Sequence, residues 1–260
     1  MSEAVFIALD EQRFRATELS RGPWDPGAQH GGAPAALLMR EFERLAGDQD
    51  NLRVARVTYE FLRPVPLEEL EAGAELVRPG KRVQLLEGWL RDTAGTELVR
   101  ARALRVAATA VNDAGEEDPP PTPPQEGRAN DYPSGGVTMF STDAMEIRFT
   151  EGAFLTPGPA AAWFRLRHEL VAGESPTPLQ LLAAAGDFSN GISATVSWDA
   201  HVFINPDLTL YIERAPQGEW VALRSHTRIR SGGIGVSESV LFDERGRVGR
   251  AIQALLVTER

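Results

Sequence analysis

The chain has 260 residues, of which 42% are hydrophobic, and its formal net charge at pH 7 is -10. That length allows one large domain or two ordinary ones, and the acidic balance argues against a nucleic-acid partner, because phosphate binding requires a basic face. The absence of cysteine excludes disulfides, thiolate metal sites and a cysteine nucleophile. No segment resembles a signal peptide or a membrane span, so we expect a cytoplasmic protein.

The first part of the chain predicts one helix followed by an antiparallel meander. Residues 21–32, RGPWDPGAQHGG, form a loop by their glycine and proline content and lead into a helix predicted over 33–45. Apolar residues surround the first half of that helix and charged residues join its second half, so we expect it to emerge from the core. Alternation then predicts a strand from residue 53 that ends at Arg63-Pro64. Further strands are predicted at 74–77, 83–90 and 97–107, with a hairpin turn at 92–95.

The second part of the chain repeats this plan after a connecting segment. Residues 112–136 are rich in proline, glycine and acids, which predicts an extended connection between units at 1–111 and 137–260. In the second unit, alternation predicts strands around 145–149 and 163–168 before a helix, a strand region over 192–203 after it, and two strands that meet at 243–246. We therefore predict an α+β duplication in which each half wraps an antiparallel sheet around a helix, with the two sheets joined edge to edge.

The second helix carries one charged residue at the end of an otherwise apolar run. Thr177 and Pro178 are typical of an N-cap and a first helical position, and six of the residues between 179 and 185 are apolar. Such a helix is enclosed on all sides. Asp187 follows directly, and an ionised carboxylate there is costly unless it is hydrogen-bonded. The position therefore predicts either a satisfied structural polar group or a catalytic one.

Other chemical signals in the sequence are weaker. No G-x-S-x-G motif occurs, the glycines of 231–237 miss the dinucleotide pattern and the four histidines lack ligand spacing, so we expect no serine nucleophile, cofactor or metal. His30, Gly31 and Gly32 precede the first helix. The free N–H groups at this helix start could bind an anion or a carbonyl oxygen, or the glycines could be an ordinary start of a helix. Asp25 lies five residues before His30, a spacing compatible with an acid and base pair or with an ordinary loop cap.

Five segments resemble the acyl-CoA thioesterase II family and its double-hotdog relatives. They are GAQHGGAPAALL at 27–38, VTYEFLRPVP at 57–66, AAGDFSNG at 184–191, SATVS at 193–197 and GRVGRAIQ at 246–253. The resemblance implies a double hotdog that hydrolyses acyl-CoA thioesters with a water activated by Asp187 and oriented by Thr195 and Gln253. Direct attack by that water requires no covalent intermediate.

The resemblance also implies how the substrate is held. N–H groups near Gly31 and Gly32, beside His30, or at the equivalent place in the second half, would polarise the thioester carbonyl as an oxyanion hole, and the sequence does not decide which helix supplies them. The first helix has no acid that corresponds to Asp187, so we predict one active site per chain. Further candidate contacts to the CoA substrate are Phe61, Arg63, Arg78, Lys81 and Arg82.

Two alternatives keep the fold and change the function. Hotdog hydratases use an Asp and a His near the start of a helix, so Asp25 and His30 could hydrate an enoyl-CoA. A module that binds acyl-CoA without turnover is the other alternative, because a fold does not fix the chemistry. In each case the partner is an acyl-CoA, and sheet edges would permit a homodimer or a larger oligomer.

Overall fold

The structure is a computed structural model that describes residues 3–46, 51–110, 118–130, 132–133 and 135–260. Within these residues, fifteen strands form one sheet, and the helices α1 (Gly32–Ala46), α2 (Pro178–Gly186) and α3 (Ser189–Ile192) pack against it. The strands are β1 (Ala4–Ala8), β2 (Arg13–Ala16), β3 (Leu52–Phe61), β4 (Glu69–Arg78), β5 (Val83–Asp92), β6 (Glu97–Ala107), β7 (Arg128–Ala129), β8 (Met145–Ala153), β9 (Thr156–Leu166), β10 (Glu169–Val171), β11 (His201–Ile204), β12 (Asp207–Ile212), β13 (Val221–Ile229), β14 (Ile234–Asp243) and β15 (Gly246–Glu259). Short helical turns lie at Glu18–Ser20, Pro124–Glu126 and Phe140–Ala144.

The sheet has two halves that meet at one strand pair. The N-terminal half has the order β10, β1, β2, β4, β5, β6, β3, and the C-terminal half continues as β12, β15, β14, β13, β9, β8, β7. All pairs are antiparallel except β1 with β10, and β11 pairs with the end of β15. At the junction of β3 and β12, Thr58 lies opposite Thr209 and their hydroxyls are 3.1 Å apart. One sheet therefore runs through both halves of the chain.

The helices α1 and α2 pack directly against each other and against the sheet. A Cβ added to Gly32 would lie 2.4 Å from the carbonyl oxygen of Ala184, which no side chain at position 32 could accommodate. A Cβ added to Gly186 would lie 2.7 Å from Leu210 Cδ2. These two glycines therefore let α1 approach α2, and α2 approach the sheet, closely enough to bury both helices.

Both predicted long helices are confirmed. We expected the second half of α1 to emerge from the core, but Arg40 and Glu41 in that half are buried. The guanidinium of Arg40 compensates this burial by pairing with the carboxylates of Glu41 and Glu174. At the start of α2, Thr177 Oγ1 accepts a hydrogen bond from Gln180 N at 3.1 Å, and Gln180 Oε1 accepts one from Thr177 N at 3.3 Å. This reciprocal capping box explains why the helix begins at Pro178. None of the helices in the described residues is long and apolar enough to cross a membrane.

The predicted strands are confirmed except over one stretch. The prediction of a strand over 192–203 is wrong for 192–200, because α3 extends to Ile192 and an irregular loop follows. Local contacts override the alternation there: Ser193 Oγ donates to the carbonyl oxygen of Ser189 at 2.7 Å, and Trp198 stacks on Trp24. Within the predicted connection, residues 112–117, 131 and 134 lie outside the described residues.

Candidate active site

Asp187 directly follows α2, and only 5% of its surface is exposed. Its Oδ1 accepts hydrogen bonds from Asn205 Nδ2 at 2.7 Å and from Gln253 Nε2 at 3.2 Å. Asn205 follows β11 and Gln253 lies on β15, so both amides come from the sheet half that surrounds α2. These two neutral donors satisfy one oxygen of a carboxylate that would otherwise be costly to bury.

Each amide is itself held in one orientation by the backbone. Gln253 is fully buried, and its Oε1 accepts a hydrogen bond from Asn190 N at 3.3 Å. The amide nitrogen of Asn205 also donates to the carbonyl oxygen of Asp207 at 3.1 Å. Because the acceptor and donor ends of these amides are fixed, both present N–H groups to Asp187.

The second oxygen of Asp187 faces the start of α1. His30 Nδ1 lies 3.1 Å from Asp187 Oδ2, and a Cβ added to Gly31 would lie 2.7 Å from the same oxygen. Glycine at position 31 is therefore required for the carboxylate to approach this closely. His30 Nδ1 also lies 3.0 Å from Gly32 N. A ring nitrogen either donates or accepts, so each protonation state of Nδ1 makes only one of these two hydrogen bonds.

Asp187 lines a pocket of about 60 Å³, which we call the Asp187 pocket. His30, Gly31 and Asn205 line this pocket together with Asp187. Aromatic side chains form most of the remaining wall, and the rings of Trp24 and Trp198 stack with centroids 5.0 Å apart and an interplanar angle of 13°. A concave, largely aromatic site with a few convergent polar groups is the usual form of a small-molecule site.

The structure brings some of the predicted site residues together and leaves others apart. His30, Gly31, Asp187 and Gln253 meet, whereas Gly32 is buried between the helices. Thr195 is exposed in the loop after α3 and does not line the pocket, because the strand that was expected to present it does not form.

Asn205 also donates to Asp187, and sequence reasoning missed it. The signal was present as Asn205-Pro206, which we interpreted only as the end of a strand, since asparagine before proline is typical of a turn. Its side chain reaches Asp187 because β11 ends at Ile204, one residue earlier.

The residues predicted to contact CoA lie elsewhere. Phe61 is half-buried, its N–H donates to the Pro206 carbonyl oxygen at 2.8 Å, and it does not line the Asp187 pocket. The predicted cationic contacts are exposed and also lie outside the pocket. They are Arg63, Arg78, Lys81 and Arg82. Asp25 is exposed as well, and its Oδ1 accepts the Gly27 N–H at 2.8 Å as a loop cap rather than pairing with His30.

A second carboxylate lies near the end of α1, against the start of α2. Glu43 accepts hydrogen bonds from Thr177 Oγ1 at 2.9 Å and from Gln180 Nε2 at 2.8 Å. Burial raises the pKa of Glu43, and these two hydrogen bonds oppose that rise without cancelling it. Each helix therefore places a carboxylate at the start of the other: Glu43, within α1, bonds to Thr177, and Asp187, directly after α2, lies against Gly31. One active site per chain stays a prediction.

Strand register shows how the two carboxylate positions differ. Thr58 of β3 and Thr209 of β12 face each other where the two halves of the sheet join. Each of these strands has another neighbour, β6 for β3 and β15 for β12, and the same register step from the facing pair leads to Ala103 on β6 and to Gln253 on β15. Alanine offers no hydrogen-bond donor from its side chain. The sheet therefore supplies an amide to Asp187 and none from the corresponding position to Glu43.

Comparisons with known proteins agree with this architecture. A family model described as the acyl-CoA thioesterase N-terminal domain matches residues 20–111, and one described as the C-terminal domain matches residues 112–257. No curated protein matches the sequence.

Solved structures with the same fold cover nearly the whole chain. A provisionally named thioesterase II from Thermobifida fusca is 19% identical, with a TM-score of 0.74 over 97% of this chain and 95% of its own. An acyl-CoA thioesterase II from Mycobacterium marinum is 16% identical, with a TM-score of 0.69 over 98% and 95%. A protein from Alicyclobacillus acidocaldarius described as having a hot dog fold is 14% identical, with a TM-score of 0.72 over 97% and 95%. These likenesses show a hotdog fold, and because the two family models together span residues 20–257, the chain belongs to the acyl-CoA thioesterase family.

Proposed function

We propose that this protein hydrolyses acyl-CoA thioesters at the Asp187 pocket, using Asp187 as the general base. The observation that carries the proposal is the buried carboxylate, which has one oxygen held by Asn205 and Gln253 and the other beside the pocket residues His30 and Gly31. The scaffold is a double hotdog with units at 1–111 and 137–260 and a connection at 112–136. Homo-oligomerisation through sheet edges stays a prediction.

The reaction requires only water and the thioester. The water oxygen attacks the carbonyl carbon while Asp187 takes one of its protons. The tetrahedral intermediate then breaks its C–S bond, and the proton passes from Asp187 to the departing sulfur. The products are the free acid and the CoA thiol, and no acyl-enzyme forms.

Asn205 and Gln253 act as positioning residues in this proposal, and Asn205 replaces Thr195. Both donate to the same oxygen, Oδ1, which fixes the plane of the carboxylate. Oδ2 is then the oxygen that takes the proton from water. Fixing a reacting group in this way is a large part of catalysis, since a displacement of about 1 Å costs about 10²-fold in rate.

The thioester carbonyl needs a hydrogen-bond donor as negative charge develops on its oxygen. The Gly32 N–H lies against His30 Nδ1 in a buried position, whereas Gly31 lines the pocket. Gly31 N–H is therefore the donor that we assign to the oxyanion, in place of the pair of glycines first expected. When the oxyanion re-forms the carbonyl, the C–S bond breaks and the sulfur departs. Both events then take place on the side of Asp187 that faces the start of α1.

Two assays run side by side test the reaction type. We expect the wild type to release CoA thiol from saturated acyl-CoAs, and Asp187→Asn to lower kcat by about 10² to 10⁴, the usual size of a general-base contribution. Affinity for a non-hydrolysable thioether analogue should change little, because the carboxylate acts on the water. Asp25→Asn is the matched control and should keep its activity, since Asp25 lies outside the pocket.

The competing functions give different results. Hydration of an enoyl-CoA that is lost in His30→Ala and kept in Asp187→Asn would replace the thioesterase mechanism with a hydratase. Binding of the analogue without thiol release from any acyl-CoA would indicate a binding module. Near-wild-type turnover by Asp187→Asn would overturn the assignment of the base.

A further inference from the structure

We infer that this site accepts short acyl groups, of about two to three carbons, because aromatic side chains close the Asp187 pocket around a small space. The inference rests on the proposed function and adds the substrate class to it. Three observations carry it: the volume of the pocket, the rings that separate it from a neighbouring cleft, and the polar packing beneath α3.

The volume alone sets a limit. Small-molecule sites usually enclose about 300 to 1,000 Å³, whereas the Asp187 pocket encloses about 60 Å³. A cavity of about 150 Å³ holds one benzene ring, so the Asp187 pocket holds less than half of a six-carbon group. On the same scale an acetyl group fits that space and a propionyl group is at its limit, and each further methylene must displace packed side chains.

Aromatic rings separate this pocket from a larger cleft. The adjoining cleft encloses about 290 Å³ and shares the side chains of Tyr132, Phe154 and Trp198 with the Asp187 pocket. Trp198 is held in place by its Nε1, which donates to the carbonyl oxygen of Phe154 at 3.0 Å, and by its stack on Trp24. The indole of Trp198 is therefore a fixed wall, and beyond it lies the room that a longer acyl chain would need.

The space on the other side of α3 is also closed to an alkyl chain. Asn190 and Gly191 of α3 line the pocket, while Ser189 Oγ faces the sheet and accepts from Ser239 Oγ at 2.7 Å. Six buried hydroxyls connect α3, the loop after it and the strands β13 and β14. They belong to Ser189, Ser193, Ser225, Thr227, Ser237 and Ser239. An apolar chain inserted there would leave buried hydroxyls without hydrogen-bond partners, which is unfavourable.

The test is a chain-length profile of kcat/KM from acetyl-CoA to dodecanoyl-CoA. For the wild type we expect a maximum at two or three carbons and a fall of at least about tenfold by octanoyl-CoA, the size of effect that misfitting methylenes produce. Trp198→Ala should open the wall to the adjoining cleft and raise the octanoyl to acetyl ratio at least about tenfold. Trp220→Ala is the matched control, because Trp220 packs in a separate cluster with Trp163 and Phe242.

The outcomes separate the two proposals. A wild-type maximum at four or more carbons overturns the short-chain limit and leaves hydrolysis standing. A Trp198→Ala protein that folds and keeps the wild-type profile overturns the role of the indole wall. If Trp198→Ala does not fold, the wild-type profile still decides the limit. Release of thiol from none of the substrates overturns the proposed function itself.

Discussion

Two carboxylates occupy matching places in this molecule, and their surroundings differ. Asp187 ends α2 and faces Gly31 at the start of α1, whereas Glu43 lies near the end of α1 and faces Thr177 at the start of α2. Glycine leaves space beside Asp187, and that space is part of the pocket. The Thr177 side chain fills the corresponding space and hydrogen-bonds to Glu43. The size of one residue at the helix start thus makes the difference: opposite glycine the carboxylate lines a pocket, and opposite threonine it joins two helices.

The sheet adds to the difference. Gln253 on β15 donates to Asp187, while Ala103 occupies the corresponding place on β6. Glu43 receives its hydrogen bonds from the capping residues of α2 instead. Its neighbour Tyr59 is fully buried, and burial raises the pKa of that phenol. We therefore expect Glu43 to contribute to structure and Asp187 to chemistry.

The largest effect should come from neutralising each carboxylate in turn. We expect Asp187→Asn to lower kcat by about 10² to 10⁴ and Glu43→Gln to leave kcat within about twofold, because only Asp187 lines the pocket. Steady-state release of CoA thiol from acetyl-CoA measures both variants. Comparable losses in the two variants would mean that the two positions are functionally equivalent, against our account.

The next effect distinguishes Asn205 from Thr195. Asn205→Leu removes the shorter of the two hydrogen bonds to Asp187 Oδ1, so we expect kcat to fall by about 10²-fold. Thr195→Val changes an exposed loop residue and should leave kcat within about twofold. Affinity for the thioether analogue should be kept in both, which separates a positioning role from a binding role. The reverse order of losses would restore Thr195 to the site.

A smaller effect should follow from closing the gap beside Asp187. Gly31→Ala places a Cβ 2.7 Å from Asp187 Oδ2 and forces the carboxylate to shift, so we expect kcat to fall by about tenfold. Gly191→Ala is the matched control in the same pocket, because its Cβ would make only an ordinary contact of 3.5 Å with Phe154. Equal activity of both variants would show that Gly31 is not needed for the approach of the carboxylate.

The smallest effect concerns stability and pH. Burial raises the pKa of Glu43 above its ordinary value of 4.5, so the folded protein favours the protonated form. The contribution that protonated Glu43 makes to the free energy of unfolding is fully present below pH 4.5, and it is lost as the pH rises through the pKa of Glu43 in the folded protein. Glu43→Gln cannot ionise, and its free energy of unfolding relative to wild type should therefore increase between pH 4.5 and neutrality. Urea unfolding at several pH values measures this, and a constant difference would contradict the burial of an ionised Glu43.

Most of the fold followed from patterns that are local in sequence. Apolar spacing predicted α1, the capping pair Thr177 and Pro178 predicted the start of α2, and alternation predicted most strands. The failures came where tertiary contacts decide. The stretch 193–200 alternates like a strand, yet Ser193 donates a hydrogen bond to α3 and Trp198 stacks on Trp24. Sequence periodicity contains neither contact.

The site was predicted in part for the same reason. Asp187 stood out because a charge at the end of an apolar helix is locally visible, and Gln253 followed from the resemblance to the thioesterase family. Asn205 and Glu43 were missed because their roles depend on what β11 and α1 face across the molecule. The residue pattern of one helix does not show that the other helix begins beside the end of the first.

The number of acyl-CoA sites per chain is the most direct test of the difference between the two carboxylates. Titration of the wild type with a non-hydrolysable thioether analogue of acetyl-CoA, followed by calorimetry, measures it. Our account predicts one molecule bound per chain, with the same stoichiometry in Glu43→Gln. Two molecules per chain, falling to one in Glu43→Gln, would show that the Glu43 position is a second site and would contradict the account.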